Sequence, residues 1–148
     1  MDAQENKRMV MEGYQLFQRG DIPHLLERYH DDALWIEPDA EHIPFAGRHN
    51  GKAAIARFFQ QLDECAQAIR FEPKEFIAEG DKVVVTGEAT WMAKNTGRSY
   101  DSPWVHVFTL RDGKVAQFQA FQDTAAGERA FRPDQPGQAA AAGAQLHH

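Results

Sequence analysis

The sequence has little of what redox, nucleotide or membrane functions require. There is one cysteine, Cys65, in 148 residues, so no internal disulfide can form. It falls inside an apolar helical pattern, where an inert core thiol is expected. No apolar run approaches the roughly 18 residues that a membrane-crossing helix needs. The opening residues MDAQENKR are too polar for a secretory signal, and a cytoplasmic protein is expected. No Lys/Arg cluster offsets the net charge of −6, which arises from 16 basic and 22 acidic residues. Nucleic acid and anionic membranes are therefore poor partners. Phosphate-binding loops, a G-x-G-x-x-G fingerprint and a G-x-S-x-G nucleophile turn are all missing, and Cys65 has no positioned base. No cofactor is expected. His42 and His49 flank an acidic loop, but their spacing fits no ligand pattern, and no metal is expected.

Aromatic rings, by contrast, are plentiful: ten Phe, three Trp and three Tyr. Large rings suit the lining of a cavity as well as a core. Along the chain, Val10, Tyr14 and Phe17 fall on one stripe of a helix over residues 3–19, which Gly20 ends. Asp21 caps a short second helix with Pro23 in its first turn. Residues 33–37 predict a strand stopped by Pro38, and residues 39–50 an aperiodic loop. Asn50 or Gly51 opens a third helix whose stripe runs through Ile55, Phe58, Phe59, Leu62, Cys65, Ala66 and Ile69. The period then shortens. Residues 70–79, 82–93, 98–111 and 114–122 predict four strands, linked by Glu79-Gly80-Asp81, Asn95-Thr96-Gly97 and Asp112-Gly113. Such short links imply an antiparallel meander. A short helix follows over residues 123–131, and residues 132–148 are expected to be a flexible tail. The expected fold is α+β: three N-terminal helices packed on a curved antiparallel sheet, a single domain over residues 1–131.

Strand alternation puts Trp35 and Glu37 on one face, so the carboxyl group should sit in apolar surroundings that favour its neutral form. A carboxyl of that kind is a competent base near neutral pH. The same alternation puts His106 with Trp104 and Phe108. An imidazole there, neutral or protonated, is a hydrogen-bond donor in apolar surroundings. The other reading of each is structural: a strand-end carboxylate, and a core histidine bonded to a carbonyl.

Ordered segments of the chain resemble the SnoaL-like and ketosteroid-isomerase-like members of the NTF2-like superfamily. They are Arg19-Gly20-Asp21, Tyr29-His30-Asp31-Asp32-Ala33 with Glu37-Pro38, Pro44 to Arg48 with Gly51, Val107 to Val115, and Asp123-Thr124-Ala125-Ala126. The resemblance covers residues 5–131 and implies a cone with an interior pocket. It implies that Glu37 stands where steroid isomerases place their base, and His106 where they place a protonated acid. Their helical tyrosine falls on Gly13, one residue before Tyr14. Counted on the limonene-epoxide-hydrolase members, the catalytic Asp-Arg-Asp set falls on Ala89, Gly87 and Ala120, which excludes that chemistry. The same count turns Val85, Gly87, Ala89 and Trp91, with Phe118, Ala120 and Gln122, toward the pocket. The small residues among them either leave room for a ligand or accommodate Trp104 or Trp91 in a filled core.

The combined expectation is a cofactor-free, isomerase- or cyclase-like protein. Its substrate would be a small hydrophobic carbonyl compound, polyketide- or steroid-like, and its chemistry proton transfer by Glu37 and His106. Tyr14, Trp35, Phe45, Phe58, Trp91, Trp104, Phe118 and Gln122 would contact the ligand, with Phe45 on a loop over the mouth. The alternatives are a non-catalytic binding module with the same pocket, and an interaction module whose cavity is filled. The resemblance also implies a homodimer through the outer sheet face.

Overall fold

Asp2 starts the first element: its carboxylate accepts the Glu5 amide at 2.8 Å and caps helix α1, Ala3–Gln18. The computed structural model describes residues 2–133, so the expected tail lies almost entirely outside the described residues. Val10 and Tyr14 form the buried stripe of α1, and Phe17 packs partly buried beside them. Gly20, at φ 75°, lets the chain turn after the helix, in a region costly for a side chain with Cβ. Asp21 then caps the short helix α2, Ile22–Leu26.

The remaining elements are β1 (Tyr29–Ile36), β2 (Arg48–Asn50), α3 (Lys52–Cys65), β3 (Ala66–Glu79), β4 (Lys82–Ala93), β5 (Ser99–Arg111), β6 (Lys114–Gln122) and α4 (Thr124–Phe131). One six-stranded sheet runs in the order β2-β1-β6-β5-β4-β3. It curves without closing, and α1 and α3 pack into its hollow. No helix among the described residues is long and apolar enough to cross a membrane.

Four features differ from the expectations. The sheet is mixed, because β1 pairs parallel with β6, Trp35 opposite Phe118. Short links make β3 to β6 antiparallel, but they say nothing about β1, whose connection to β6 passes through α3 and four strands. The loop over residues 39–50 contains a strand: β2 pairs with β1, Leu34 opposite Asn50. Three residues are too few for periodicity, and the return is made at Gly47 (φ 88°), whose carbonyl accepts the Glu37 amide at 2.9 Å. The first strand also begins at Tyr29, four residues earlier than residue 33. Finally, α3 passes directly into β3 at Ala66, where the backbone becomes extended. Ala66 and Ile69 therefore leave the helical stripe, and Ile69 is exposed. Pairing of Ala66 with Ala93 outweighs one more turn of helix.

Candidate active-site chamber

The hollow of the sheet holds a chamber of about 100 Å³. All ten residues expected to carry chemistry or touch a ligand line it: Glu37 and His106, together with Tyr14, Trp35, Phe45, Phe58, Trp91, Trp104, Phe118 and Gln122.

Glu37 follows the last residue of β1 and is only 7% exposed. Trp35 Nε1–H donates to its Oε2 at 2.9 Å, and Gln122 Nε2–H donates to Oε1 at 3.4 Å. Trp35 is held by a close stack on Phe118, 3.7 Å between centroids. Burial pushes the Glu37 carboxyl up to about 8, and the two donated hydrogen bonds offset only part of that. The group therefore changes protonation state near neutral pH instead of far below it.

His106 lies across the sheet. Its Nδ1 is 2.6 Å from the Tyr14 hydroxyl. Burial raises the Tyr14 phenol well above its usual range, so the hydroxyl keeps its proton. That hydroxyl has no other partner among the described residues, so it must donate to Nδ1 to be satisfied. The imidazole then carries its own proton on Nε2. Burial also lowers His106 to about 3, which keeps the ring neutral at ordinary pH. Its ring is flanked by Trp104, 4.0 Å away and nearly parallel, and by Phe118 at 4.7 Å.

Register fixes the spacing of the two groups. Gln122, bonded to Glu37, stands opposite Trp104, and His106 stands opposite Ala120. Positions two apart on a strand are about 7 Å apart, so one small molecule can reach both levels.

Tyr100 and Ser102 also line the chamber and were missed in the sequence. Both share the alternation of Trp104 and His106 along β5, which was the signal for them. The Tyr100 hydroxyl is pushed up to about 12 by burial and by the Glu37 charge nearby.

The room expected at Gly87 is taken. A Cβ built there would lie 2.2 Å from Trp104 Cζ2 and 2.6 Å from the Glu72 carbonyl oxygen. Gly87 is thus the seat of the Trp104 indole, and its smallness does not enlarge the chamber. A cavity of about 150 Å³ admits benzene. The present chamber is smaller, so a single ring enters as the lining side chains give slightly, and a polyketide- or steroid-sized molecule only if the ring stack parted.

The loop over the chamber is tied down. His42 Nδ1 bonds to Glu128 Oε1 on α4, and the His42 amide donates to Glu128 Oε2 at 3.1 Å. These bonds hold the Glu128 carboxyl below the usual carboxylate range. Ile43 packs against Gly127, and Phe45 packs edge-on against Phe58 and Phe131. Ligating atoms of Glu41, His42 and Glu128 lie within 4.8 Å of one another. However, Glu41 lies nearer Nε2 and Glu128 nearer Nδ1, on opposite edges of one ring, so the cluster functions here as a latch.

An α+β cone with an aromatic chamber inside its sheet is the architecture of the NTF2-like proteins. The chain belongs to the SnoaL-like domain family, whose pattern matches residues 10–118. It is similar to an NTF2-like protein from Burkholderia xenovorans LB400, with 38% identity over 89% of this chain and 99% of that one, at a TM-score of 0.82. It is also similar to an NTF2-like protein of unknown function from Burkholderia pseudomallei K96243, with 30% identity over 87% and 98% of the two chains and a TM-score of 0.80. A third similar structure is TerC co-crystallised with polyporic acid, with 28% identity, 86% and 98% coverage and a TM-score of 0.75. No curated protein matches the sequence significantly.

Proposed function

We propose that the chamber catalyses proton transfer on a small, uncharged carbonyl compound. The observation that carries this is Glu37: a buried carboxyl, shifted to about 8, sharing a mostly apolar chamber with a neutral imidazole. The carboxylate form takes a proton from the carbon next to the carbonyl. As negative charge builds on the carbonyl oxygen, His106 Nε2–H donates to it, with Tyr14 holding the ring through Nδ1. Glu37 then returns the proton to the same carbon in a saturated ketone, which gives exchange, or to the γ-carbon where the substrate carries a β,γ double bond, which gives isomerisation. One C–H bond breaks and one forms, the double bond moving only in the unsaturated case, and no cofactor is consumed. The similarity to TerC, crystallised with a small organic compound, supports a ligand of that general kind.

The test is exchange of the α-hydrogens of cyclopentanone for deuterium in D2O, followed by NMR. Exchange should exceed the buffer rate and rise about tenfold per pH unit below 8 before levelling. Glu37→Gln should abolish it. His106→Ala should slow it about 10²- to 10³-fold, the scale for loss of one oxyanion donor, while weakening binding far less. Tight binding with no exchange would establish a binding module in place of an enzyme.

We also propose that two copies pair through the outer sheet face. Cross-strand register lines up Ile77, Val84 and Val107 there, and Val105 beside Phe121. Phe121 and Ile77 are 50% and 56% exposed, a large apolar investment for a surface facing only water.

A further inference from the structure

Buried polar groups in folded proteins nearly always find a partner. Trp35 follows that rule through Glu37. Trp104 does not: it is 4% exposed, lines the chamber, and its Nε1 has no hydrogen-bond partner among the described residues. The indole is not loosely placed. Phe71 stacks on it at 5.0 Å and His106 at 4.0 Å, and Gly87 leaves out a side chain where Cζ2 and Cε2 press on the backbone. Cε2 is the carbon bonded to Nε1, so the seat fixes the N–H as well as the ring. A phenylalanine would fill much of the same space without the polar cost. The fold instead retains an N–H that its own atoms leave unsatisfied.

Two residues along the same face of β5, His106 presents another donor without a partner among the described residues, Nε2–H. The rings that carry both donors are stacked. We propose that Trp104 Nε1–H and His106 Nε2–H form a two-donor seat for one oxygen of the ligand, so the chamber selects carbonyl compounds and their enolates over hydrocarbons of equal shape. Trp104 thereby becomes a specificity-determining residue and not only part of the aromatic wall. This rests on the reading of the chamber as a ligand site. It adds no step to the proton transfer, because both donors keep their hydrogens throughout.

The unmodified protein, labelled with ¹⁵N, provides the test. Its three tryptophans give three indole N–H signals, which can be assigned without altering Trp104. Trp91→Phe removes one signal, and the Trp35 signal follows the ionisation of Glu37 near pH 8. Cyclopentanone is then titrated against methylenecyclopentane, in which CH2 replaces the carbonyl oxygen at nearly constant shape. The expected result is binding of the ketone at least tenfold tighter than the hydrocarbon, with the Trp104 indole proton moving downfield for the ketone alone. Equal affinity with an unmoved Trp104 signal would overturn the two-donor seat while leaving the chamber a ligand site. Failure of both compounds to shift any chamber resonance would overturn the seat and the ligand-site reading together.

Discussion

Replacing Glu37 with glutamine should make the protein more stable, and increasingly so as pH rises. Glu37 is shifted from an ordinary 4.5 to about 8 because burial penalises its charged form. Between those values the folded chain keeps a proton that the unfolded chain has lost. Stability contributed by the protonated carboxyl is therefore fully present below 4.5 and is lost as pH rises through 8. Each pH unit across that window is worth about 1.4 kcal/mol. The wild type should trail Glu37→Gln by under about 1 kcal/mol at pH 5, about 3 kcal/mol at pH 7 and about 4–5 kcal/mol at pH 9. The amide is isosteric, and Gln122 can turn its own amide to present an oxygen to the new NH2 group. Urea unfolding of both proteins at the three pH values provides the measurement. All other groups titrate alike in the two proteins and cancel in the difference. A difference that stayed constant from pH 5 to pH 9 would show that Glu37 titrates normally, and the proton-transfer argument would fall with it.

Other perturbations separate the remaining contacts. Tyr14→Phe removes the one donor to His106 Nδ1 among the described residues and leaves that nitrogen buried and unpaired. It should lower unfolding free energy by about 1–3 kcal/mol, with the His106 ring signals moving in NMR as its tautomer is released. Gly87→Ala places a methyl group 2.2 Å from Trp104 and 2.6 Å from a backbone oxygen. Neither can yield easily, so a loss of about 3 kcal/mol or more is expected in denaturant titration. Glu128→Ala should release the loop around His42, speeding hydrogen exchange of the His42 amide about tenfold while leaving amides of β4 and β5 unchanged. Phe121→Glu on the outer face should yield a monomer by sedimentation where the wild type is a dimer. A monomeric wild type would end the pairing proposal.

The strands from residue 70 onward were legible because turn chemistry punctuates them. Gly80, Gly97 and Gly113 all adopt positive φ at the hairpin tips, and alternation between those tips tells which side chains look inward. Alternation likewise brought Trp35 beside Glu37 and Trp104 beside His106. It carries no distance information, so it could not show that Tyr14, on the first helix, bonds to His106 across 92 positions of sequence. The Gly13 offset from the isomerase pattern pointed away from that bond. Volume was equally hidden. Small residues at 87, 89 and 120 suggested space, but whether an indole swings into that space depends on rotamers chosen by the packing of several rings at once. The pairing of β1 with β6 was beyond any local signal, since it joins distant segments without a hairpin.

Glu37 and His106 are shifted in opposite directions by one cause. Burial disfavours the charged form of each: it raises the acid to about 8 and lowers the base to about 3. Arg28 also lines the chamber, but its guanidinium is paired with Glu12 at 3.0 Å, and among the described residues no cation contributes to the Glu37 shift and no anion to that of His106. At neutral pH most molecules therefore hold Glu37 and His106 uncharged in a chamber rich in donors: the Glu37 carboxyl, the His106 and Trp104 N–H groups, and the Tyr100 hydroxyl. Beside Glu37 and His106 an ion from bulk water finds no opposite charge to repay its desolvation. The chamber does accept a neutral molecule with oxygen acceptors. Charge then appears only when a proton leaves carbon, in the one place where fixed donors already wait for it. Had Glu37 been paired with an arginine, it would have stayed ionised and lost much of its basicity. The missing counter-ion is what leaves a carboxyl group able to take and return a proton near pH 8.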